Sequence, residues 1–282
     1  MNEILVAVDF SDSSINALEH AVGVAERFES NLLLVWVETK NSLRNLEVKN
    51  STQAHKIVKK KFEDIIEKYK PNIGKQEIEY QLKKGVTYKE IVALSLINDV
   101  DLIVTGVHGN HGFRRFFMGD NANHIVAEAK CPVLTIGLHR TTGRALENIV
   151  LPIDSTLDTR QKVGIATRFA RSFGAQIHIL GLYSSGVKSL RMRVESYVNQ
   201  VDKHLKKVGV KTVIHYSNKN DARTILNYTK KVDANLLITM IETESKTSDI
   251  WLGSQGQQLV NQSPVPVMSI ANRMLIKSAP GL

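Results

Sequence analysis

The stretch Asp101-Leu102-Ile103-Val104-Thr105-Gly106-Val107-His108-Gly109, followed by Gly119-Asp120, decides how this chain folds. Its apolar run reads as a buried parallel strand, and Ala122, Ile125, Val126 and Ala129 beyond it have the spacing of a helix. The glycines stand where the chain passes from one to the other. Gly106 and Gly109 permit positive φ and close backbone approach, and Gly119 opens a helix whose unpaired N–H groups and dipole favour an anion. The spacing therefore reads as a phosphate cradle.

The same stretch recurs. Shifted by 134 residues, Thr105 to Ile136 falls on Thr239 to Ile270 without a gap, matching Gly119 with Gly253, Val126 with Val260 and Pro132 with Pro266. Each half also begins with an apolar strand ending in aspartate, Ile4 to Asp9 and Ile149 to Asp154. A repeat of about 140 residues is a whole domain and not a solenoid unit.

The G-x2-G-x9-G spacing, the Asp-terminated first strand and the closing Cys131-Pro132-Val133-Leu134 together resemble the universal stress protein family, twice over. The resemblance implies an α/β fold of two tandem Rossmann-like domains, each a five-stranded parallel sheet in the order 3-2-1-4-5 flanked by helices. It also implies a pseudo-dimer within the chain, through residues 132–136 and 266–270. The expected divisions are a nucleotide-binding domain over 1–140, a degenerate copy over 145–273 and a tail over 274–282.

Periodicity agrees. Strands are expected near 4–8, 32–37, 77–82, 101–105 and 132–136, with helices near 12–28, 50–69, 87–97 and 120–129; the second half repeats strands near 149–153, 176–182, 210–215, 235–239 and 266–270. With 282 residues, 43% of them hydrophobic, the chain can bury two ordinary cores. No apolar run is long enough to span a bilayer, and Met1-Asn2-Glu3 leads directly into a strand, so a cytoplasmic protein without membrane attachment is expected. A single cysteine, Cys131, excludes an intrachain disulfide and reads as a packed structural thiol.

In an open parallel sheet the ligand sits outside the carboxyl ends of the strands where their order reverses, here between the first and fourth strands. By resemblance the ligand is ATP or another adenine nucleotide. Asp9 would lie beside the adenosine, and the backbone at Val37 would read the adenine edge. Gly106, His108, Gly109, Gly119, Asp120 and Asn121 would surround the phosphates. Asp9 can alternatively cap the helix that starts at Ser11 to Ser13.

Asp120 departs from the family pattern, which places a small hydroxyl there, as Ser254 does in the second half. Two unit charges about 4 Å apart cost on the order of 4 kcal/mol at an effective dielectric near 20. Mg²⁺ or Mn²⁺ held by Asp120 and the phosphates would relieve that cost, as would Arg114 and Arg115 or a ligand with fewer phosphates. Otherwise Asp120 is only a helix cap. The second half has lost the other parts: Met240 and Thr243 replace Gly106 and Gly109, and the loop from Ile241 to Glu244 carries two glutamates. It is expected not to bind nucleotide in the family manner.

Charge is split unevenly: residues 1–140 carry 18 basic and 18 acidic side chains, and residues 141–282 carry 19 and 10, so the whole +9 lies in the second half. The lysines are spread, without a nucleic-acid motif or interleaved aromatics, and read as a solvated face; no nucleic-acid partner is expected. Lys59-Lys60-Lys61 is likewise the polar side of an amphipathic helix. His108 and His111 lack a third metal ligand of recognisable spacing, and no nucleophile with an adjacent base is visible. The expectation is thus a stress-response protein that binds an adenine nucleotide in its first domain, with the second a pseudo-subunit. The alternatives are an interaction protein of the same fold that binds no nucleotide, and a slow ATPase. A homodimer and an unidentified protein partner are further options.

Overall fold

A computed structural model of the chain describes residues 1–107, 120–137, 145–246 and 249–271. The chain divides into two compact units, Met1–Thr142 and Gly143–Leu282. Unit 1 runs β1 (Glu3–Ala7), α1 (Asp12–Phe28), β2 (Asn31–Glu38), α2 (Lys40–Asn45), α3 (Ser51–Ile73), β3 (Ile78–Lys84), α4 (Thr87–Ile97), β4 (Leu102–Gly106), α5 (Asp120–Glu128) and β5 (Val133–Ile136). Its strands lie in the order β3-β2-β1-β4-β5, all parallel.

Unit 2 runs β6 (Asn148–Ile153), α6 (Val163–Phe173), β7 (Gln176–Leu182), α7 (Lys188–Lys207), β8 (Thr212–Ser217), α8 (Ala222–Lys231), β9 (Leu236–Ile241), β10 (Thr243–Lys246), β11 (Asp249–Leu252), α9 (Ser254–Gln262) and β12 (Val267–Ala271). Its parallel strands repeat the order, β8-β7-β6-β9-β12. Both units therefore have the α/β Rossmann-like architecture expected from the sequence.

Helices on both faces bury the central strands, which is why these read as unbroken apolar runs. Ile4, Leu5 and Val6 of β1 and Leu102, Ile103 and Val104 of β4 have no exposed surface. Ser11 caps α1, its hydroxyl accepting from the Ser14 N–H at 3.3 Å, and Asn50 caps α3 in the same way through Gln53 at 2.9 Å. On α3, Val58 and Phe62 are fully buried while Lys59, Lys60 and Lys61 face water. Cys131 is buried and its thiol pushed up to about 12, chiefly by that burial, in keeping with a structural role.

Two elements were not expected. The short helix α2 follows directly on β2, started by a reciprocal capping box between Thr39 and Ser42. The segment read as an acidic loop after Ile241 is instead the antiparallel hairpin β10–β11, in register from Thr243 opposite Leu252 to Lys246 opposite Asp249. β-Branched and aromatic residues such as Thr243, Ile250 and Trp251 favour a ladder over an open loop.

Candidate functional site

The strand order of unit 1 reverses at β1, which has β2 on one side and β4 on the other. Beyond β1 the chain leaves the sheet through Phe10, whose φ of 64° is left-handed and unusual for a bulky residue. Phe62 of α3 holds the Phe10 ring at a centroid distance of 5.2 Å, and the Lys61 ammonium lies 4.9 Å from its centre. Nothing in the sequence marks this strained corner, since the supporting residue is far away along the chain.

Asp9 precedes it and is exposed. Its Oδ1 accepts from the Ser11 N–H at 3.0 Å and from the Ser11 hydroxyl at 2.5 Å, while its own N–H donates to Ser14 Oγ at 3.3 Å. Asp9 thus orients the residue that caps α1 and is not itself the cap. Both side-chain bonds use Oδ1.

Val37 lies where the ladder geometry leaves a backbone edge open. The pairing of β1 with β2 ends at Ala7 opposite Val35, where Val8 N–H donates to Val35 C=O at 2.9 Å. Backbone groups alternate sides along a strand, so Val37 also turns its N–H and C=O toward β1. β1 has already left the sheet there, and among the described residues none takes those two groups. The next residue, Glu38, points the other way and accepts from Gly85 N–H.

The Glu38 side chain, 4% exposed, fixes the surroundings of that edge. It accepts from Ser51 Oγ at 2.7 Å, meets Lys84 Nζ at 2.9 Å and has His55 Nε2 2.8 Å from Oε2. Hydrogen bonding from Ser51, then Lys84, holds its carboxyl below the usual range despite burial. The ends of β2 and β3 and the start of α3 are tied together by one carboxylate.

Gly106, at the end of β4, has a different reason for being glycine than the expected positive φ. Its φ is not left-handed, but a Cβ there would lie 2.2 Å from Ser13 Oγ and 2.7 Å from the Ser13 carbonyl oxygen. The close approach is that of the first turn of α1. Asp120 and Asn121 open α5, with Asn121 exposed. One turn on, Asn123 is 7% exposed and its Oδ1 has no partner among the described residues. His108, Gly109 and Gly119, with His111, Arg114 and Arg115, lie outside the described residues, as does the Asp120 side chain. Of the residues expected at the site, Asp9, Val37, Gly106 and Asn121 are therefore among the described ones. Among the described residues no group of three or more His, Cys, Asp or Glu side chains could hold a metal ion.

Unit 2 keeps the Asp turn and changes the rest. Asp154 Oδ1 accepts from Thr156 N–H at 2.8 Å and from its hydroxyl at 2.5 Å, as Asp9 does with Ser11. β6 pairs one position further than β1, to Ile153 opposite Gly181. Where Met240 replaces Gly106, helix α6 starts late: Leu157 aligns with Asp12, yet α6 begins at Val163. Into the space comes Lys162, 2% exposed, at the position of Ala17. Its Nζ donates to the Thr159 carbonyl at 2.8 Å and to Thr159 Oγ1 at 3.3 Å. Burial pushes the amine down to about 8, against the pull of Asp154 and Asp158. The hairpin closes through Gly253 N–H, which donates to Glu242 C=O at 3.0 Å.

The sequence pattern of the universal stress protein family matches residues 1–137 and again 145–270. The chain belongs to the universal stress protein family. A universal stress protein of Methanocaldococcus jannaschii is 27% identical over 137 residues, which cover 48% of this chain and 81% of that protein. A Staphylococcus aureus family member is 33% identical over 139 residues, covering 47% and 82%. The crystal structure of a universal stress protein from Archaeoglobus fulgidus superposes with a TM-score of 0.73 at 18% identity and covers 96% of both chains, a likeness of fold. In this universal stress protein no described helix is long and apolar enough to cross a membrane.

Proposed function

We propose that this tandem universal stress protein binds one adenine nucleotide per chain, in unit 1, as a ligand-dependent stress-response protein, and that unit 2 is a pseudo-subunit. The observation that carries this reading is the open N–H and C=O of Val37 beside the switch point. Adenine presents an acceptor and an amino donor side by side, the complement of that pair; guanine presents the two reversed, so the edge favours adenine. The exposed Asp9 carboxylate suits ribose hydroxyls, and the start of α5 suits phosphate. In unit 2 the longer β6 pairing, Lys162 and Met240 all work against the same occupancy.

Mass spectrometry of ligand released from freshly purified protein, followed by titration calorimetry, tests this. One adenine nucleotide per chain and preference for ATP over GTP are expected. Two sites per chain, or none, would overturn it, and ADP accumulating beyond the amount of protein would make it an ATPase instead.

Asp120 extends the proposal to metal. It opens α5 where Ser254 opens α9. A carboxylate about 4 Å from a phosphate costs on the order of 4 kcal/mol at a dielectric near 20 unless Mg²⁺ or Mn²⁺ intervenes. Asp120→Ser should tighten ATP binding in chelator, and the gain should shrink with Mg²⁺ or with AMP. Equal metal-free affinities would mean that the Asp120 carboxylate does not act on the phosphates.

A further inference from the structure

The positive charge of the second half is not used by the nucleotide reading. Residues 203–231 carry eight Lys or Arg against one Asp, a net +7. They comprise the end of α7, the outer strand β8 and helix α8. Lys207, Lys211, Lys219, Arg223 and Lys230 are all exposed.

β8 lies at the outer end of the unit 2 sheet. Ile177 N–H donates to Lys211 C=O and Tyr183 N–H to Ser217 C=O, so odd-numbered residues face β7. Thr212, Ile214 and Tyr216 therefore turn their N–H and C=O outward, and no described residue takes them. The equivalent strand of unit 1, β3, carries Glu79, Lys83 and Lys84 within the strand, the usual guard against added strands. β8 reads Thr-Val-Ile-His-Tyr-Ser with no Lys, Arg, Asp or Glu, and Val213 and Ile214 are 40% and 37% exposed.

The strand is also held rigid. Tyr216 stacks on Tyr183 at 5.6 Å on one face, His215 stacks on Tyr228 at 4.8 Å on the other, and Thr212 Oγ1 donates to Asp202. Binding there would order little of this chain.

We infer that the outer edge of β8 accepts an extended acidic peptide segment of a partner protein as an added strand. Backbone pairing would come from the outward groups of Thr212, Ile214 and Tyr216, apolar contact from Val213 and Ile214, and long-range attraction from the lysines before and after the strand. A second copy of this chain would bring the same positive charge against itself. Nucleic acid would want aromatic faces, yet Tyr216 and Tyr228 are stacked on this unit's own rings.

Fluorescence anisotropy of the full chain with a labelled peptide of about ten residues alternating Glu and Val tests the inference, with a twin N-methylated at four consecutive residues. The twin keeps charge and side chains but loses donors. It should bind about tenfold or more weakly, since each lost bond is worth about 1 kcal/mol. Binding of the parent should weaken between about 50 and 300 mM salt, and Lys211→Glu with Lys219→Glu, both outside the strand, should weaken it about tenfold. Ile214→Pro should abolish it, provided circular dichroism shows the fold intact. No binding, equal binding of the twin, preference for an oligothymidine of about twenty bases, or self-association that blocks the peptide would each overturn the inference.

Discussion

At the residue scale, Gly106 separates two meanings of a glycine in a spaced motif. The glycine-rich stretch predicts backbone freedom for a ligand, whereas the observed contact is with Ser13 of α1. Gly106→Ala should therefore destabilise unit 1 by about 1–3 kcal/mol in the absence of nucleotide, because the clash is with backbone that cannot rotate away. Gly256→Ala is the control: its Cβ would press on the Ile241 side chain at 3.0 Å, which can give way, and would meet Leu252 Cβ at an ordinary 3.8 Å. Urea unfolding without ligand measures both. Equal midpoints for Gly106→Ala and the parent would show that α1 adjusts freely. Asp9 teaches a related lesson: its residue type fits both cap and ligand group, and only the contacts show that Ser11 is the cap.

At the element scale, the two units differ where the first helix begins. α1 starts against a glycine, and α6 starts late, behind the buried Lys162. The folded amine titrates at about 8, below the roughly 10.4 of an unfolded lysine. Between those values the unfolded chain binds more protons, so stability should climb as pH rises from about 8 toward 10.4 and be lowest below it. Lys162→Met should abolish that climb and raise stability near pH 7 by on the order of 1–2 kcal/mol, the relieved desolvation exceeding the two lost bonds to Thr159. Urea midpoints near pH 7 and 9.5 check it; an unchanged climb in the variant would assign the effect elsewhere. Helix α2 and the hairpin β10–β11 escaped the sequence reading because each is too short to show a period.

At the scale of the whole molecule, β5 and β12 are the last strands of their units along the chain, paired with β4 and β9. Ile103 N–H donates to Pro132 C=O and Leu237 N–H to Pro266 C=O, so Val133 and Thr135, and likewise Val267 and Ser269, turn their backbone groups away from their own sheets. That residues 132–136 and 266–270 pair is our proposal, and it rests on the family resemblance alone. Amide hydrogen exchange should then protect Thr135 and Ser269 as strongly as Leu134 and Met268. Fast exchange of the two outward amides beside slow exchange of their neighbours would refute it.

Apart from α2 and the hairpin β10–β11, the order of strands and helices was legible in the sequence, as were the duplication and the family, because apolar periodicity and glycine spacing are local properties that a chain displays before it folds. The loss of Gly106 and Gly109 from the second half was legible too, as Met240 and Thr243. Tertiary structure alone decided that Ser13 needs Gly106 to be small, that Phe62 supports the strained Phe10, and that Lys162 is buried. It alone placed the open backbone of Val37 beside the departing end of β1. Each depends on which backbone lies opposite a residue after the strands cross over, a relation between distant positions that no local pattern of side chains encodes.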